Sequence, residues 1–96
     1  MTSPAPERKI RNAVDEAVYF ALGGVRDVSK RLDVATQSVY EHLGRGLIRN
    51  REVALEYERL TREAGHMVPA AELMALVPWN GEERMGEPGG AKRPNP

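Results

Sequence analysis

The residues best equipped for specific chemistry lie in the stretch LDVATQSVYEHLGRG, residues 32–46. At helical spacing, Thr36, Gln37, Tyr40 and Glu41 place a hydroxyl, an amide, a phenol and a carboxylate on one outward face. Such a set exchanges hydrogen bonds with a partner. Bond-making chemistry is not expected, because no nucleophile, acid pair or metal cluster is recognisable in the chain. His42 and His66 stand without any Cys or close carboxylate cluster, so neither a metal nor a cofactor is expected. The glycines at 23, 24, 44 and 46 read as caps and turns, since no G-K-S/T follows to make a phosphate loop.

The totals narrow the class. Ninety-six residues make one small domain, and 41% apolar residues with one Phe, three Tyr and one Trp imply a modest, mostly aliphatic core. The absence of Cys suits a reducing cytosol, and a cytoplasmic location is expected. The opening MTSPAPERK has no apolar run to act as a secretory signal, and no window is long and apolar enough to cross a membrane. Formal charge is zero, but residues 23–51 hold Arg26, Lys30, Arg31, Arg45, Arg49 and Arg51 against Asp27, Asp33 and Glu41. A local cationic patch therefore sits inside a neutral chain.

The elements that must position these groups follow from apolar spacing. Residues 1–6, with two prolines, read as a flexible arm. Ile10, Val14, Ala17, Val18, Ala21 and Leu22 predict a first helix over residues 7–22, stopped by Gly23-Gly24. Val25, Val28 and Leu32 predict a short second helix. Val39 and Leu43 face inward from a third, residues 36–43, before Gly44 and Gly46 break the chain. Asn50 is placed to cap a fourth helix bearing Val53, Tyr57, Leu60 and Ala64. Pro69 opens a last helix over residues 70–77, which Pro78 ends. Beyond Trp79 no apolar period remains, so residues 80–96 read as a disordered tail behind a folded domain of residues 7–79.

Two short helices joined by about three residues form a helix-turn-helix candidate. Ser29 supplies the small residue at the crossing, and Asp33 occupies the turn position that tolerates positive φ. Val34 is expected to plug the junction and Val39 to anchor the second helix. On the opening Gly-Gly, the L-x-V turn at residues 32–34, the Q-S-V-Y segment and the L-x-Y-E-R-L-T ending, the chain resembles the Cro-type and YdaS-type helix-turn-helix regulators of phages and bacterial chromosomes. The resemblance runs over residues 22–78, 57 of 96.

That resemblance implies an all-α, lambda-repressor-like bundle of about five short helices, acting as a homodimeric, sequence-specific repressor of transcription on double-stranded DNA. It implies base contacts from Ala35, Thr36, Gln37, Tyr40 and Glu41, and phosphate contacts from Arg26, Lys30, Arg45, Arg49 and Arg51. Three departures stand out: Val25 replaces a polar residue at the start of the second helix, Asp33 replaces the common turn Gly, and the third helix contains no Arg or Lys. Leu73, Met74, Leu76, Val77 and Trp79 crowd apolar surface into a small element. They read equally as closure of the core and as a dimer contact. The alternative function is a helical protein-interaction module, such as an antitoxin or adaptor bound to a toxin or other protein, whose DNA face has been lost.

Overall fold

The computed structural model describes residues 10–85, and every regular element among them is helical. The arm expected over residues 1–6 and the tail beyond residue 85 lie outside the described residues. The first helix starts later than the apolar spacing predicts. The Asn12 side chain accepts a 2.8 Å hydrogen bond from the Asp15 amide, and Asp15 in turn accepts from the Arg11 amide at 3.0 Å. The Asn12 cap starts α1, Ala13–Asp15.

The chain then continues as a π-helical segment, Glu16–Ala21, in which the Leu22 amide reaches back five residues to the Ala17 carbonyl. Val14 of α1 and Ala17 and Val18 of this segment are fully buried, as the apolar spacing requires.

Three further helices build the corner. These are α2, Val25–Leu32, α3, Thr36–Arg45, and α4, Arg51–Glu63. Val28 of α2, Val39 of α3 and Ala54 and Tyr57 of α4 are wholly buried, so each helix contributes its apolar stripe to one core. Asn50 caps α4 as its sequence position predicts, accepting from the Val53 amide at 3.1 Å. Ile48, between α3 and α4, is also buried, and its amide donates to the Leu73 carbonyl at 2.8 Å. That bond fixes the linker against the end of the domain.

The C-terminal part departs most from the spacing. Ala64, expected on the buried face, is exposed; Thr61 is buried instead. Its hydroxyl donates to the Tyr57 carbonyl at 2.8 Å and accepts from the Val68 amide at 2.9 Å, which satisfies it inside the core. The expected helix over residues 70–77 is a single turn, α5, Ala70–Leu73. Ala75 takes the left-handed conformation at φ 61°, its amide donating to Glu72 and that of Leu76 to Ala71. This six-to-one and five-to-two bonding is a Schellman cap, and it ends the helix early with alanine in a position that favours glycine.

The tail expected from Asn80 onward is folded at its start. Gly81–Arg84 form one more turn, α6, held by a contact that hydropathy cannot reveal. Glu16 is completely buried and accepts from three remote side chains. Trp79 Nε1 donates to it at 2.9 Å, His66 Nε2 at 2.5 Å, and Arg84 Nη2 and Nε at 2.6 and 2.8 Å. Arg84 also spans to Glu72 of α5 at 2.6 Å. Gly81 lies so close that an added Cβ would collide with both the Trp79 indole nitrogen and the Glu16 carboxylate.

Candidate nucleic-acid interface

The corner between α2 and α3 is closed by backbone geometry. Asp33 adopts the left-handed conformation at φ 60°, the turn role its position predicts, and its amide donates to the Ser29 carbonyl. The Val34 amide also donates to that carbonyl, at 3.1 Å, while the Ser29 hydroxyl donates to the Val34 carbonyl at 2.6 Å. A small hydroxyl residue at position 29 thus ties both strands of the turn. Val34 does not plug the junction as expected. Its side chain is exposed and lines a groove of about 270 Å³ with Leu32, Ser38, His42, Glu52, Val53 and Glu56.

α3 runs two residues beyond its expected end, through Gly44 to Arg45, and is closed by Gly46 at φ 76° with its amide on the His42 carbonyl. Val39 holds the inner side at zero exposure and Leu43 packs against the core. Ala35, Thr36, Gln37, Tyr40 and Glu41 are all exposed, Tyr40 at 58%. Ala35 offers no side-chain acceptor to the first turn of α3, so that turn points its free amides outward.

The five cations assigned to phosphate are exposed as well. Arg26 and Lys30 stand on α2, Arg45 ends α3, Arg49 lies in the linker and Arg51 begins α4. None of these five makes an ion pair among the described residues. Pairing is concentrated elsewhere, as where Arg59 binds Glu56 and Glu63 on the far part of α4.

One polar contact sets α3 against α4. The buried Tyr57 hydroxyl shares a 3.2 Å hydrogen bond with His42 Nδ1, with the rings edge to face at 5.8 Å. Burial holds the His42 pKa below its usual value, with Arg45 adding to the effect and Glu41 opposing it. Burial likewise raises the Tyr57 hydroxyl.

The apolar set proposed for a dimer contact divides. Leu73 is wholly buried, and Met74 and Trp79 pack against the core, so these three close the domain. Only Leu76 and Val77 stand out from the surface, at 70% and 45% exposure. His66, just past Gly65, turns its ring onto Glu16 and against Phe20, 4.7 Å between centroids. Glu16 itself carries no sequence signal: it looks like one more polar position on an amphipathic helix. Among the described residues no group of three or more His, Cys, Asp or Glu is placed to hold a metal ion. No helix among them is long and apolar enough to cross a membrane.

Comparisons with protein-family models, with curated proteins and with solved structures return no match.

Proposed function

We propose that the protein is a sequence-specific DNA-binding regulator that inserts α3 into the major groove. The observation carrying this reading is the three-residue turn between α2 and α3, with Asp33 left-handed and Val39 buried, which leaves Thr36, Gln37, Tyr40 and Glu41 exposed together. Gln37 pairs through its amide with adenine N6 and N7, and Ala35 and the Thr36 methyl meet a thymine methyl. Tyr40 gives its hydroxyl to a phosphate, and Glu41 accepts from cytosine N4. Arg26, Lys30, Arg45, Arg49 and Arg51 grip the backbone and fix register without reading sequence. In this reading a cytoplasmic homodimer covers two half-sites and represses by occluding the promoter.

A mobility-shift titration on genomic fragments at two salt concentrations tests the proposal. With four to six phosphates neutralised, log affinity falls with log salt at a slope of roughly −0.9 per contact. Salt-insensitive behaviour, or no duplex bound, would remove the reading. A protein-interaction module is the second reading, favoured by the groove beside Val34 and the exposed Leu76 and Val77. Neutralising Arg45 and Arg49 separates the two: a DNA binder loses affinity for every sequence, and a protein partner barely responds.

A further inference from the structure

The segment that closes on Glu16 is attached to the rest of the domain in an unusual way. Every side-chain bond it makes to Glu16 comes from Trp79 or Arg84, 63 and 68 residues away along the chain. Between this segment and α5 lie five residues, Met74–Pro78, and three features of this connection point the same way. Ala75 is held at φ 61°, a conformation that L side chains with a Cβ resist. Leu76 and Val77 are displayed to solvent, although the neighbouring Leu73 and Met74 are packed inward. Pro78 follows directly, and it disfavours any helical continuation through Val77.

We propose that residues 79–85 are exchanged between two copies of this chain, each copy seating its Trp79 and Arg84 on the Glu16 and Glu72 of the other. The exchanged dimer keeps every hub bond, because the acceptors Glu16 and Glu72 both precede the hinge and the donors Trp79 and Arg84 both follow it. What changes is the hinge alone. Extending it lets Ala75 leave the left-handed region, and the two crossing hinges bury Leu76 and Val77 against each other. Strained short hinges favour this outcome, and it is a low-cost route to a two-fold dimer. The inference concerns chain exchange and stands whether or not the corner binds DNA.

Position 75 provides the test, since proline cannot adopt positive φ and has no amide to give the Glu72 carbonyl. Ala75→Pro therefore forbids the closed hinge and permits the open one, whereas Ala75→Gly favours the closed form. Light scattering after size exclusion, over about two decades of concentration, reads the result by mass action. The expected outcome is a wild-type dimer fraction that rises with concentration, a nearly complete dimer for Ala75→Pro, and a dimer fraction below wild type for Ala75→Gly. A folded Ala75→Pro monomer would overturn the proposal. Should that variant fail to fold, isotope-filtered NMR on a mixture of labelled and unlabelled wild-type chains decides. Trp79 contacts to Glu16 that cross from labelled to unlabelled chain support exchange. Contacts confined to one chain, or a wild type monomeric throughout, reject it.

Discussion

The α2–α3 corner and the Glu16 hub treat polar groups in opposite ways. At the corner Gln37, Tyr40, Glu41 and five cations are exposed, and none of those five cations is ion-paired among the described residues. At the hub a single carboxylate with no solvent exposure takes up His66, Trp79 and Arg84, and Glu72 takes what remains of the guanidinium. One region leaves its hydrogen-bonding groups facing solvent, and the other uses them to hold the chain together. A buried charge of this kind is seldom the most stable filling for a core, but losing one member of it is severe.

The largest effect should come from breaking the hub on one side. Arg84→Ala leaves Glu16 buried beside fewer donors and should cost about 3 kcal/mol of unfolding free energy, measured in urea. Replacing Glu16 and Arg84 together by methionine should cost clearly less than Arg84→Ala alone. If the double variant is the weaker, the ion pair is a net stabiliser and the contrast drawn above fails.

The corresponding break at the corner should leave stability alone and move binding. Gln37→Ala should lose roughly 1–3 kcal/mol on the preferred site and little on random DNA, while its urea midpoint stays within error. Equal losses on both duplexes would show that Gln37 reads no base.

Acid should separate the regions next. Burial pushes the Glu16 carboxyl up, but hydrogen bonds from Arg84, Trp79 and His66, with the Arg84 charge, outweigh it and hold its pKa below the ordinary 4.5. The folded state therefore binds fewer protons than the unfolded one, and the Glu16 contribution is fully present above pH 4.5 and lost as pH falls through the lower folded value. Urea midpoints followed downward from pH 6 should show this loss, and Glu16→Gln should flatten it. The smallest expected change is a gain. Ala75→Gly should stabilise the closed chain by about 1 kcal/mol, because glycine occupies the left-handed cap without a Cβ penalty.

How much was readable depended on distance along the chain. The Asn50 cap, the Asp33 turn, the Ser29 crossing and the buried side of α3 all involve residues within five positions of each other, and each was evident from spacing. The cap made by Asn12 and Asp15 is equally local, but its N-x-x-D pattern is hidden inside a stripe that already looked helical from residue 7. Contacts that join remote parts had no such signal. His66 reaches Glu16 across 50 residues and Arg84 across 68, and neither alters the apolar period of its own neighbourhood. Leu73 and Trp79 read equally as core closure and as a dimer contact, because crowding alone does not tell which side of an element faces the core.

The glycine at position 81 carries a lasting consequence for how this chain can vary. With the indole of Trp79 and the Glu16 carboxylate both standing where a methyl would go, the smallest possible enlargement at 81 displaces two partners at once. Drift at one of these three sites is therefore conditional on the other two: an alanine becomes admissible at 81 only after both the tryptophan and the glutamate have given way to smaller side chains. Glu16 and the neighbouring pair Trp79 and Gly81, remote from it along the chain, thus behave, for heritable change, as one.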